Sequence, residues 1–165
     1  ELGSIKINKE ERTKMYKTIP RSSVIGFLIG VLPGAGATIA SFLAYGMERN
    51  VVSDEEKEKF GKGSVNGLSA PETANNAACS GSFVPMLTLG IPGSGTTAVM
   101  LGALLGFGVQ PGPRLYMTNP EIFWSIIMSM YIGMVILLIL NLPLIPYIAR
   151  TVSYTHLTLP TKRIV

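Results

Sequence analysis

The chain has 165 residues, 47% of them hydrophobic and only 15% charged, with a net charge of +4. Soluble domains carry about 25% charged residues. Here the charges are also segregated: none falls between Val24 and Ala44, and from Gly63 to Leu140 only Glu72, Arg114 and Glu121 are charged. This pattern excludes an ordinary soluble domain and points to a membrane chain, while basic flanks without Arg-aromatic interleaving exclude nucleic-acid binding and read as membrane topology.

Residues 1–21 form a polar, basic lead or loop, in which Lys6, Lys9, Arg12, Lys14, Lys17 and Arg21 outnumber Glu1, Glu10 and Glu11. Residues 22–46 are apolar but cut by Pro33-Gly34 into arms of about ten residues, whereas a full span needs about 20. Lys and Arg flank this stretch on both sides, with Arg49, Lys57, Lys59 and Lys62 following it. The positive-inside tendency places both flanks on one side and favours a re-entrant hairpin with its tip at Pro33-Gly34 over a single crossing. Ser53-Asp54-Glu55-Glu56 reads as a capping box opening a short surface helix.

Residues 64–110 carry the densest motifs. Ser69-Ala70-Pro71-Glu72 fits a capping box with proline in the first turn, predicting a helix from Ala70 towards Val84 and a kink at Pro85. Pro92-Gly93 breaks the chain, a half-helix runs from about Thr96 to Phe107, and Gly108 with Pro111-Gly112-Pro113 ends it. Thr118-Asn119-Pro120-Glu121 repeats the capping pattern. Ile122–Leu142 is then a near-continuous apolar run of full-span length, with Trp124 and Tyr147 near its ends as interfacial anchors. Gly26-x-x-x-Gly30, Gly30-x-x-x-Gly34 and Gly102-x-x-x-Gly106 are spacings that let helices approach closely.

Three Gly/Pro/Asn-rich segments interrupt apolar sequence: Leu32–Thr38, Pro71–Ala77 and Leu89–Thr97. Hydrocarbon tolerates non-helical backbone only where protein or a watery cavity covers it, so these segments predict discontinuous helices around a polar site, as in secondary transporters. The first and third share a Pro-Gly-x-Gly-x-Thr pattern, which suggests an internal echo.

Enzymatic readings find little support. The only histidine, His156, lies in the C-terminal tail, which leaves a Ser-His or Cys-His site in the body without a base. Gly90–Thr97 has the glycine spacing of a phosphate loop but Thr96 where that loop needs lysine. No cluster has metal-ligand spacing, and Cys79 reads as a small packing residue. The sequence therefore gives no catalytic residue, no metal site and no cofactor.

The polar candidates are these. Glu72 reads either as the N3 partner of Ser69 or as an intramembrane carboxylate serving a coupling Na⁺ or H⁺, and Asn75 and Asn76 follow, offering amide oxygens to the cation. Gly34, Gly36 and Thr38 in the first break, and Gly93, Ser94, Gly95, Thr96 and Thr97 in the third, offer N–H groups, hydroxyls and a helix N-terminus suited to a carboxylate substrate. The alternative for all of them is helix packing in a membrane scaffold or assembly subunit. Convergence of Ser94, Thr96, Thr97 and Asn75 on one pocket would favour transport.

Gly30-Val31-Leu32-Pro33-Gly34-Ala35-Gly36, Phe60-Gly61-Lys62-Gly63, Ala70–Ala77, Val84–Gly93, Gly108-Val109-Gln110-Pro111-Gly112-Pro113 and Asn141-Leu142-Pro143-Leu144 occur in order. Across residues 20–150 they make the chain resemble the large permease subunit of the tripartite tricarboxylate transporter family (TctA-type). The resemblance implies an all-α, multi-pass permease of the bacterial inner membrane. It also implies a small membrane subunit and a periplasmic solute-binding protein as partners, tri- or dicarboxylate substrates, and a Na⁺ or H⁺ gradient as driving force. It further implies that residues 22–150 are a permease fragment, part of the second half of a longer protein, and the opening Glu1 fits such a piece. Residues 151–165 break the pattern and read as a non-family, adapter- or vector-derived tail.

Overall fold

In the computed structural model the described residues are 7–158, without the side chains of 149, 150 and 153–158. They form eight helices: α1 (Lys9–Val31), α2 (Gly36–Val51), α3 (Asp54–Lys57), α4 (Val65–Gly81), α5 (Phe83–Leu89), α6 (Gly95–Gly106), α7 (Leu115–Thr118) and α8 (Pro120–Thr158). There is no strand among the described residues, and the fold is all-α. Asn8–Phe123 form one compact unit, and the chain from Trp124 belongs to a second, described by itself.

The first unit is organised by three stripes of small side chains at every fourth position. On α1 the buried residues are Thr18, Ser22, Gly26 and Gly30. On α2 they are Ala40, Ala44 and Glu48. On α4 they are Asn66, Ala70, Ala74 and Ala78, with Gly81 at the end. Lipid offers no hydrophobic drive between helices, so association depends on close backbone approach at such residues. A Cβ built on Gly26 would overlap the Ala74 backbone, 2.6 Å from its Cα, and one on Gly30 would meet Ala78 in the same way. Thr18 faces Asn66 through a hydrogen bond. The constant offset of these pairs makes α1 and α4 parallel. α2 runs antiparallel to both: Glu48 meets Thr18 and Asn66, and the Ser41 hydroxyl donates to the Pro71 carbonyl near the other end.

The polar lead does not stay outside the fold. Asn8 caps α1, its Oδ1 accepting the Glu10 N–H while the Glu11 carboxylate accepts the Asn8 N–H. The helix then runs through Pro20 into the apolar arm. Residues 9–21, expected as a lead or loop, are therefore the first half of α1. The first break forms as expected, with α1 ending at Val31 and α2 starting at Gly36. Gly34 (φ +80°) and Gly36 (φ +69°) supply the left-handed backbone of this tip, which costs a Cβ-bearing residue about 1–2 kcal/mol. The Nζ of Lys14 lies 3.0 Å from Glu56 Oε2, which puts both basic flanks at the end opposite the tip. α1 and α2, of 23 and 16 residues in place of arms of about ten, thus form an antiparallel helical hairpin.

The second segment does not break. Pro71–Ala77 lies inside α4, whose N-cap is Ser64, its Oγ accepting the Gly67 N–H at 3.0 Å. The Ser69–Glu72 capping box is absent because α4 has already begun one turn earlier. The interruption expected at Pro85 comes before it: α4 ends at Gly81 and α5 starts at Phe83, which leaves Pro85 in a first turn, where its missing N–H costs nothing. Gly81 lies against the Phe27 carbonyl, another contact a Cβ would close. The third break forms as expected, between Leu89 and Gly95, with Gly90 (φ +70°) as the left-handed cap of α5.

Two further capping readings change. Ser53 precedes α3 without a side-chain cap bond, since Glu56 turns instead to Lys14 and Ser64. Thr118 closes α7, its hydroxyl donating to the Arg114 carbonyl, so α8 starts at Pro120 without that box. Of the three Gly-x-x-x-Gly spacings, only Gly26/Gly30 packs. A Cβ on Gly34, Gly102 or Gly106 would meet nothing within 4 Å.

α8 holds the one helix stretch among the described residues that is long and apolar enough to cross a membrane, Pro120–Ile148, with mean hydropathy 2.4. Trp124 and Tyr147 are both exposed and stand about 34 Å apart along the axis at 1.5 Å per residue, close to the hydrocarbon thickness. The Asn141 amide is satisfied within the helix, donating to the Leu137 carbonyl at 2.8 Å.

Two predictions follow from the hairpin and its contacts. With Cys79 replaced by Ala, single cysteines at Lys17 and Lys57 should label with an impermeant reagent from the same membrane side, and labelling from opposite sides would refute the hairpin. Gly26→Ala should destabilise the protein by on the order of 3 kcal/mol, the upper end for overpacking. Gly46→Ala, at an exposed helical position with open space around it, should stabilise by up to about 1 kcal/mol. Thermal unfolding of the two variants in detergent checks this ordering.

Candidate functional site

At the basic end of the first unit the three stripes finish in polar residues, and these meet. Glu48 has no accessible surface. Its Oε1 accepts from Thr18 Oγ1 at 2.8 Å, Arg21 Nη2 at 2.8 Å and Asn66 Nδ2 at 3.2 Å. Asn66 Nδ2 also donates to Thr18 Oγ1 at 2.8 Å. A buried carboxylate needs such pairing, because an uncompensated one would cost several kcal/mol. Among the described residues, Glu48 Oε2, Asn66 Oδ1, Arg21 Nε, Ser22 Oγ and Ser69 Oγ are buried without a hydrogen-bond partner.

Next to this knot lies a cavity of about 520 Å³ whose lining includes Lys14, Lys17, Arg21, Glu56, Lys59 and Asn66. Burial alone would push the Glu56 carboxyl up, but hydrogen bonds from Lys14 and Ser64 overcome it and hold Glu56 below its ordinary value of 4.5. Lys14 is raised above 10.5, first by its hydrogen bond to Glu56 and then by that to Glu10.

The candidates read from sequence fall into three places. Thr38 and Asn75 line one groove of about 420 Å³ between α2 and α4, together with Ser41, Phe42, Tyr45, Gly67 and Pro71. Glu72 and Asn76 are exposed on α4. At 100° per residue, Glu72, Asn76 and Cys79 project from the face opposite the Ala70/Ala74/Ala78 stripe. The Asn76 amide donates to the Glu72 carbonyl at 2.8 Å. Glu72 thus stands mid-helix and is no capping partner of Ser69.

The third set sits at the start of α6. Ser94 is its N-cap, accepting the Thr97 N–H at 3.3 Å, while Thr97 Oγ1 accepts the Ser94 N–H at 2.8 Å and donates to the Ser94 carbonyl at 2.9 Å. Thr97 is buried, and Gly95 and Thr96 are exposed. Gly93 is buried, and a Cβ there would stand 2.9 Å from Ser82 Cβ and 3.3 Å from the Gly30 carbonyl. Gly30 lies just before the exposed Gly34 of the first tip, so the first and third breaks share one end of the unit. Ser94, Thr96 and Thr97 are not among the residues lining the Thr38–Asn75 groove.

The sequence reading missed Thr18, Arg21, Ser22, Glu48 and Asn66. The signal was present as the four-residue spacing of small and polar positions at 18/22/26/30, 40/44/48 and 66/70/74/78, half of it inside stretches read as polar flanks.

Broken helices, a small-residue hairpin and an apolar span define an all-α membrane protein with interrupted segments. The chain belongs to the tripartite tricarboxylate transporter TctA family, whose model matches residues 1–165, a range that takes in the tail at 151–165. It is 44% identical over 139 residues to an uncharacterized 52.8 kDa protein in the TAR-I ttuC' 3' region of Agrobacterium vitis, covering 84% of this chain and 27% of that protein. It is 48% identical over 120 residues to a protein in the TAR-II ttuC' 3' region of the same organism, covering 73% of this chain and 49% of that protein. The chain therefore spans between about a quarter and a half of the curated relatives it matches. No solved structure matches it.

The Lys14–Glu56–Ser64 cluster has a defined pH dependence. Glu56 is depressed, so its contribution is present above its ordinary value of 4.5 and lost as pH falls through the lower folded value. Lys14 is raised, so its contribution is present below 10.5 and lost as pH rises past the higher folded value. Thermal midpoints should be flat between about pH 5 and 10 and fall on both sides. Glu56→Gln should lower the midpoint at pH 7 and flatten the acid limb, as a pH series of melting curves will read.

Proposed function

We propose that these residues are part of a secondary permease that moves tri- or dicarboxylates across the bacterial inner membrane as a multi-pass protein, driven by a Na⁺ or H⁺ gradient. A small membrane subunit and a periplasmic solute-binding protein would complete the tripartite system. The chain's own role is transport and not catalysis. One observation carries this reading beyond family membership: Glu72, with Asn75 and Asn76, occupies a part of α4 that the α1–α2 packing leaves open. An ionisable group in an apolar helix persists where it faces protein or a watery path, so this face of α4 borders the translocation route and handles the coupling ion. The substrate carboxylate is held by dipoles, with Gly95 and Thr96 N–H groups at the start of α6, Gly93 for close approach, and Gly34, Gly36 and Thr38 at the neighbouring tip.

The mutual bonds of Ser94 and Thr97 favour a second reading for these two side chains, as a structural cap that fixes α6 without touching substrate. In the full-length complex, Glu72→Gln should reduce carboxylate uptake at least tenfold and change its Na⁺ or pH dependence with expression preserved. Asn75→Ala should weaken uptake in the same direction. Thr96→Val should raise the apparent KM about ten- to a hundred-fold, the equivalent of one charge-assisted hydrogen bond. Wild-type kinetics in all three variants would leave packing as their role and the scaffold reading in force.

A further inference from the structure

Between Lys62 and Arg150 the chain has a single lysine or arginine, Arg114. It stands on a loop that the fold ties down. The Gly112 N–H donates to the Leu87 carbonyl at 3.2 Å, the Pro111 carbonyl lies against Gly90, where a Cβ would stand 2.8 Å from it, and Leu115 is buried. Leu87 belongs to α5 and Gly90 caps it, so the loop is fastened to the opening of the third break. Arg114, Gln110 and Thr118 line one cavity of about 430 Å³ there, within the range of about 300–1,000 Å³ of small-molecule sites. The donors around it are mostly spent or missing. Pro111 and Pro113 have no N–H, the Gly112 N–H is taken by Leu87, and the Thr118 hydroxyl donates to the Arg114 carbonyl. The Arg114 guanidinium and the Gln110 amide remain, and among the described residues neither has a side-chain partner.

We propose that Arg114, assisted by the Gln110 amide, binds a carboxylate group of the substrate in this cavity. The inference rests on the permease reading and deepens it by naming the cation that recognises the substrate. A di- or tricarboxylate carries more than one negative charge, whereas a helix N-terminus offers about half an elementary charge. The dipoles at the start of α6 therefore leave most of that charge unmet, and no other lysine or arginine lies in the apolar body of the chain. A guanidinium matches a carboxylate with two parallel hydrogen bonds, a geometry that lysine cannot reproduce. The loop is ordered in advance by its two prolines and by its ties to Leu87 and Gly90, which lowers the cost of fixing the guanidinium on binding.

Calorimetric titration of the purified full-length protein in detergent with citrate, succinate and inorganic phosphate tests the proposal without any ion gradient. The wild type should bind citrate or succinate more tightly than phosphate. Arg114→Gln should raise the carboxylate Kd about tenfold or more, the loss of a charge-assisted bond. Arg114→Lys, which keeps the charge but not the fork, should fall between the two. Arg114 is exposed, so neither change should move the thermal midpoint without ligand. An unchanged carboxylate Kd in Arg114→Gln would overturn the site, as would a wild type that binds neither carboxylate or prefers phosphate. Uptake by the full complex separates this from the permease reading. Wild-type uptake with wild-type binding in Arg114→Gln sinks the site alone, whereas Arg114-dependent binding without any carboxylate uptake by the wild type sinks the permease reading alone.

Discussion

The structure of the first unit depends on the approach of α1 to α4 at Gly26 and Gly30. Two helix backbones touch there without intervening side chains, the Ala74 and Ala78 main chain filling the space a Cβ would take. Three consequences follow from that contact. It fixes a parallel register with a constant offset, so Thr18 must meet Asn66. It leaves α2 to pack antiparallel against both through Ala40 and Ala44, which sit with Ala74 and Ala78 in one buried cluster. It also brings Gly30 close to Gly93, setting the first and third breaks side by side. Alanine and glycine bury little area, so the stability of this bundle rests on contact distance more than on hydrophobic transfer, as expected in lipid.

The two ends of the bundle have opposite chemistry as a result. At the tip, Gly34 and Gly36 with positive φ give irregular backbone. At the other end, charged groups accumulate in a ladder: Lys14 with Glu10 and Glu56, Lys59 with Glu55 and Glu56, and Arg21 with Glu48. The Lys14–Glu10 and Lys59–Glu55 pairs are solvated and contribute little individually, whereas Glu56 is buried. Glu48 differs because it has no accessible surface, and its pairing is a condition of folding. The hairpin of α1 and α2 has basic residues at its open end, so Lys and Arg flank both sides of the first apolar stretch.

The polar groups of the apolar segments divide by how they are satisfied. Asn141, Ser41 and Thr88 each bond a carbonyl one turn back on their own helix, the local solution open to small polar side chains in helices. Ser94 and Thr97 satisfy each other. Glu72 does neither: its carboxylate has no partner among the described residues and projects from the outer face of α4.

The sequence by itself determined the membrane class, the family, the hairpin, the break at Pro92-Gly93 and the long final span. These are written in local terms: charge-free runs, Pro-Gly pairs, Lys and Arg flanks, and ordered motifs. It placed a helix from Ala70 towards Val84 but started it about a turn late and also read Pro71–Ala77 as an interruption, because proline and asparagine read as breakers when the alanines between them are not weighed as a packing face. It split α1 at residue 21, because polar composition and helical continuity are independent properties. Only the tertiary structure decided that Glu48, Asn66 and Thr18, distant in the chain and set in flanks that read as solvent-exposed, close into one buried knot. Which polar residues share a site depends on helix register, and register is fixed by contacts between segments 48 residues apart in the chain, Gly26 to Ala74 and Gly30 to Ala78, which no local pattern encodes.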